Sequence, residues 1–160
     1  MMRFLLVCVL MLCAMPSTAS ITDYVVKQWN IKDGLPSQSL KSVVQDNQGY
    51  MWLGTQFGLS RFDGNTFTNY NTQNSLFLPS NGINKLLIDG EGLLWIGTKN
   101  GLVVIDPEKL TAQEFNIKGP VRDILEDSQG SIWIAANGLY YIDRGQIELR
   151  DQLNNPSPIV

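Results

Sequence analysis

Histidine is absent from all 160 residues. That removes Ser-His-Asp and Cys-His catalysis, His-based zinc sites and a phospho-accepting histidine from this chain. Cysteine is nearly absent. Its two copies, Cys8 and Cys13, both lie in the first thirteen residues, so the rest of the chain can form no disulfide and do no thiol chemistry. There is no basic run, and the net charge is −3. A mildly acidic chain of this kind is a poor partner for nucleic acid or an anionic membrane surface. No Gly-x-x-x-x-Gly-Lys phosphate loop occurs either.

What is present begins with an export pattern. Residues 1–19 have one cation, Arg3, an apolar run from Phe4 to Met15, then Pro16 and the small residues Ser17 and Ala19. This reads as a signal peptide cleaved after Ala19. The run is short for a bilayer core of about 30 Å. No small residue precedes Cys13 as a lipoprotein signal would require. The remaining chain, 20–160, has room for about one domain.

That remainder repeats. Val43–Gly64, Leu86–Pro107 and Ile124–Arg144 align without ambiguity. Asp46, Asp89 and Asp127 each stand six residues before a tryptophan, at Trp52, Trp95 and Trp133. Gly49, Gly92 and Gly130 each stand three before it. Gly54 and Gly97 follow two after, with Ala135 in the third copy. The tryptophans are 43 and 38 residues apart. Each period divides into four short β-rich runs separated by turn-formers, as in SLKSVVQD, YMWLGT, LSRFD and TFTNY. Four antiparallel strands per ~40 residues is a propeller blade. The fold class is therefore all-β: a partial β-propeller of about three blades, near 36–70, 79–116 and 120–150, with part-blades at each end.

In this frame Gly49 and Gly58 are turn residues requiring positive φ. Gly54 permits close approach by a neighbour, and the tryptophans fill the gaps between blades. The repeated aspartates each begin an Asp-x-x-Gly turn, where the carboxylate accepts local backbone N–H groups. Symmetry places them on separate blades, which disfavours paired acid/base work and metal binding.

The stretch DGLPSQSLKSVVQDNQGYMWLGTQFGLSRFDGNTFTNY resembles the two-component-regulator propeller repeat, and the resemblance extends over nearly all of 24–160. The resemblance implies the extracytoplasmic sensor region of a hybrid histidine kinase or diguanylate cyclase, hence an exported, periplasmic location. The third copy departs from the pattern, with Ala135-Ala136 in place of Gly-Thr. The absent histidine argues against propeller lyases of the streptogramin-inactivating type, and the WD-repeat Gly-His dipeptide is missing. YVVKQWNI at 24–31 matches the last strand of a blade, which suggests strand-exchange closure. LNNPSPIV at the other end reads as another lead-in. Three blades fall short of the usual four to eight, so the chain is expected to be the start of a longer protein and to self-associate through its open edges.

The function expected is a non-catalytic ligand-sensing module, with a small ligand such as a glycan fragment and no cofactor. The alternative is a protein-binding scaffold; a glycan-cleaving enzyme is the reading least supported. In a four-stranded blade the turn between the second and third strands shares a face with the lead-in to the first. The side chains that vary there, Gln56, Phe57, Lys99, Asn100 and Asn137, are the candidate ligand-binding residues.

Overall fold

A computed structural model describes residues 25–143 and the backbone of 146–149. The export segment and the C-terminal lead-in fall outside the described residues. Among the described residues twelve strands form three sheets of four, each an antiparallel meander in chain order. Blade 1 comprises β1 (Leu40–Gln45), β2 (Met51–Thr55), β3 (Gly58–Phe62) and β4 (Phe67–Tyr70). Blade 2 comprises β5 (Ile83–Ile88), β6 (Leu94–Thr98), β7 (Gly101–Ile105) and β8 (Ala112–Phe115). Blade 3 comprises β9 (Asp123–Glu126), β10 (Ile132–Ala135), β11 (Leu139–Asp143) and β12 (Gln146–Leu149). The molecule is an all-β propeller array, as the repeat required.

The registers superpose the blades. Trp52 lies opposite Val44 and Arg61, Trp95 opposite Leu87 and Val104, and Trp133 opposite Leu125 and Tyr141. Both β1 and β5 shift register near their starts, at 40–42 and 83–85. The turn glycines behave as expected, with φ of +90° at Gly49 and +139° at Gly58.

The core lies between blades. Trp52, Leu59 and Leu78 meet Ile83, Leu86, Leu94 and Ile96 in one cluster. Trp95, Leu102 and Ile117 meet Val121, Ile124 and Ile132 in the next. Gly54 and Gly97 are the points of closest approach. A Cβ on Gly54 would stand 2.6 Å from Ile83 Cγ2, and one on Gly97 2.6 Å from Val121 Cγ1. No side chain fits there, because the β-branched residue of the following blade already fills the space. Polar contacts cross the junctions too. Leu86 N–H donates to Ser42 Oγ at 3.0 Å, Lys85 pairs with Asp123 at 2.7 Å, and Gly90 N–H donates to the Glu126 carboxylate at 3.0 Å.

One expectation is corrected. Residues 25–30 form no strand, and Ile31–Asp33 is a 3₁₀ turn capped by Asn30. A strand is held by ladder bonds to a neighbour, and this segment has none. It instead packs by side chains on blade 1. The Trp29 ring meets Phe62 edge-on at 5.0 Å, and Asn69 Nδ2 donates to Gly34 O at 2.9 Å.

Candidate functional site

Each blade runs from one face to the other four times, so its connections sort onto two faces. The Asp-x-x-Gly turns are on one face. The β2–β3, β6–β7 and β10–β11 turns are on the other, the loop face, together with the lead-ins to β1, β5 and β9. Direct contact supports the pairing: Lys99 N–H donates to Gly82 O at 2.8 Å, and Val121 N–H to Thr98 O at 2.9 Å.

The five candidate residues are all exposed on the loop face. The frame holds them by a repeated device that the spacing alone did not suggest. Thr55 Oγ1 donates to Gly58 O at 2.9 Å and accepts from Phe57 N–H at 3.0 Å. Thr98 does the same with Gly101 O and Asn100 N–H. Each turn is thus clamped by a buried hydroxyl, and the residues at its tip project outward. In blade 3 Ala136 replaces the threonine and the turn is one residue shorter; Ala136 N–H bonds Gly138 O instead.

The structure brings these residues together only in part. Asn100 lines a cleft of about 550 Å³ with Pro79, Glu114, Phe115, Asn116 and Lys118. Gln56, Phe57, Lys99 and Asn137 do not line it. Asn137 Oδ1 accepts from Tyr140 Oη at 2.6 Å within its own blade. Phe57 is 58% exposed, and Leu76, in the β4–β5 connection on the same face, is 102% exposed. A larger cleft, about 840 Å³, opens between blades 2 and 3 and reaches the Asp-turn face, where Asp89, Glu126 and Ser131 line it.

The aspartates serve the turns. Asp46 Oδ1 accepts from Gln48 and Tyr50 N–H, each at 3.0 Å, and Asp89 and Asp127 repeat the pattern. Their second oxygen takes a partner that composition did not reveal. Trp52, Trp95 and Trp133 donate their indole N–H to it at 2.7, 2.6 and 2.8 Å. The constant step of six was the available signal. The Trp133 indole and the Ser131 and Gln129 amides hold the Asp127 carboxyl below its usual range. Asp63 is drawn down to about 2, chiefly by the Thr66 N–H, then by the Thr66 hydroxyl and the Asn65 N–H. Among the described residues no group of three or more acids is placed to hold a metal ion.

The repeated clamp and frame match a known repeat. The two component regulator propeller family matches residues 34–57, 78–100 and 117–138. The chain carries two component regulator propeller repeats. The matched spans run from each lead-in to the turn after the second strand, so all three include the aspartate–tryptophan pair and the first two include the clamping threonines Thr55 and Thr98. Solved structures agree on the fold. The extracellular domain of a hybrid two component system from B. thetaiotaomicron has a TM-score of 0.69 at 24% identity, over 76% of this chain and 19% of that one. A virginiamycin B lyase from Staphylococcus aureus has a TM-score of 0.56 at 20% identity, over 72% of this chain and 42% of that one. Histidine kinase P4 of Formosa agariphila is 40% identical over 52 residues, 32% of this chain and 4% of that protein. The chain thus spans less than half of each of these proteins. Among the described residues no helix is long and apolar enough to cross a membrane.

Proposed function

We propose that this chain is a non-catalytic, extracytoplasmic ligand-sensing module of a signalling receptor of the two-component or diguanylate-cyclase type. Its export would follow cleavage after Ala19, which the intact mass of the exported protein tests. The observation that carries the reading is the threefold repeat itself, matched to the two component regulator propeller and folded like the extracellular domain of a hybrid two component system. Ligand contact falls to the loop face, through Gln56, Phe57, Lys99, Asn100 and Asn137. These residues vary from blade to blade on a rigid frame, which makes an asymmetric surface. The ligand class is a small polar molecule such as a glycan fragment. Asn100, Asn116 and Glu114 offer hydrogen bonds beside Phe115 and Pro79.

A second reading, a protein-binding scaffold, draws on the exposed apolar side chains Phe57 and Leu76 of the same face. A thermal-shift screen of oligosaccharides separates the two. A hit raises the melting temperature under the sensing reading, and none does under the scaffold reading. For a hit, Phe57→Ala, Lys99→Ala and Asn100→Ala combined weaken affinity at least tenfold, about 1.4 kcal/mol. Unchanged affinity would move the site to the cleft between blades 2 and 3.

A further inference from the structure

Asparagine followed by glycine occurs three times in the chain, at Asn81-Gly82, Asn100-Gly101 and Asn137-Gly138. All three lie on the loop face, the first in the lead-in to β5 and the others in the β6–β7 and β10–β11 turns. This dipeptide has a chemistry of its own. The backbone nitrogen of the glycine can attack the side-chain carbonyl carbon of the asparagine, because glycine has no Cβ to obstruct the approach. A C–N bond closes a succinimide ring, and the amide nitrogen leaves as ammonia with the glycine proton. Water then opens the ring at either carbonyl and gives aspartate or isoaspartate. Water is the one co-reactant, and nothing is oxidised or reduced.

The three sites are equal in sequence and unequal in structure. Asn81 Oδ1 accepts the Thr72 N–H at 2.7 Å. The Gly82 nitrogen, the group that would have to attack, donates to Ser80 Oγ at 3.2 Å. The Lys99 side chain also crowds Gly82, with Cδ 2.6 Å from where a Cβ would stand. Asn137 Oδ1 accepts from Tyr140 Oη at 2.6 Å. Both amides are held, and each must give up a hydrogen bond before it can turn. Asn100 is exposed, and among the described residues its side-chain amide has no partner. The Thr98 clamp takes its backbone N–H and leaves the side chain free to turn.

We propose that Asn100 is a site of spontaneous deamidation, and that the reaction converts a neutral amide of the loop-face cleft into a carboxylate. The new charge stands in the cleft that Glu114 and Lys118 also line. In the isoaspartate product the main chain runs through the side-chain carbon, which adds a methylene to the β6–β7 turn. Thr98 holds that turn through Asn100 N–H and Gly101 O, so the lengthened turn strains the clamp.

Peptide mass spectrometry of the full chain reads each site by the mass gain of an amide-to-acid exchange. The folded chain is aged at mildly alkaline pH, then digested in acid, where the reaction is slow. Asn100 is expected to convert about tenfold faster than Asn81 or Asn137, a barrier difference of about 1.4 kcal/mol. Tyr140→Phe removes the donor from Asn137 and keeps the ring. It raises the rate at Asn137 and leaves Asn81 and Asn100 unchanged, which separates a lost hydrogen bond from a loosened fold. Asn100→Gln, whose longer side chain would have to close a larger ring, abolishes the gain at that position. Equal rates at the three sites in the folded chain overturn the proposal. So does an Asn100 that stays intact in the folded chain while the same chain unfolded in urea converts at all three. An unchanged rate at Asn137 in Tyr140→Phe also overturns it, because the held amide is then not what slows the reaction.

Discussion

The indole N–H of Trp52 donates to the Asp46 carboxylate at 2.7 Å, and both residues are buried, at 0% and 6% exposure. One side chain thereby ties the Asp-turn face of a blade to the packing between blades. The carboxylate closes its turn through two backbone N–H groups and holds the ring that fills the junction. Trp52→Ala removes the ring and costs about 3–5 kcal/mol. Asp46→Ala leaves the buried indole N–H without its acceptor and costs about 1–3 kcal/mol. Trp133→Ala costs less than Trp52→Ala, because no blade covers Trp133 among the described residues. Urea unfolding of the three variants ranks them.

Gly54→Ala and Gly97→Ala push a methyl against Ile83 and Val121, at 2.6 Å from the nearest side-chain atom. Each is expected to destabilise by about 1–3 kcal/mol, the usual range for overpacking. Gly64→Ala has φ +97° but open space around it, so its cost is backbone strain alone. Pairing Gly54→Ala with Ile83→Ala relieves the contact. The double variant is then less destabilised than the sum of the singles. Strict additivity in thermal or urea melts would show that the two sites do not touch.

Asp63, Asp106, Asp123 and Asp127 all have carboxyls held below the ordinary 3.8. For Asp106 the first cause is the Lys109 ammonium, for Asp123 that of Lys85. A carboxyl depressed in the folded state contributes its stability in full above 3.8. It loses that contribution as pH falls through the folded value. Stability is expected to be level from neutral pH to about 4 and to fall below that, with the Asp63 part lost last, near pH 2. Asp63 and Asp123 are exposed and Asp106 and Asp127 half-buried, so solvent screens all four and each contributes little. Asp127→Asn and Asp63→Asn each lower the neutral plateau by the carboxylate's contribution and flatten the acid limb by the same amount. A plateau that begins to fall at pH 6 would assign acid sensitivity to other groups.

The repeat was legible without coordinates because it is written in residue types that only a blade needs together. Glycine at fixed turns, tryptophan at a fixed step and alternating β-branched runs specify strand, turn and packing face locally. Three four-stranded sheets, the role of Gly54 and the turn chemistry of Asp46 all follow from periods of two and of about forty. Three things did not follow. The indole–carboxylate bond joins residues six apart whose side chains meet only once the hairpin has formed. The threonine clamp depends on a turn geometry that Gln56-Phe57 and Lys99-Asn100 share despite having nothing in common as side chains. The segment from 25 to 31 has the composition of an outer strand, yet a strand exists only with a partner. Local pattern decided which residues could form blades. The tertiary structure decided how blades meet, because the burial of Ile83 at 1%, which its local sequence does not set, comes from seating on Gly54 of the blade beside it.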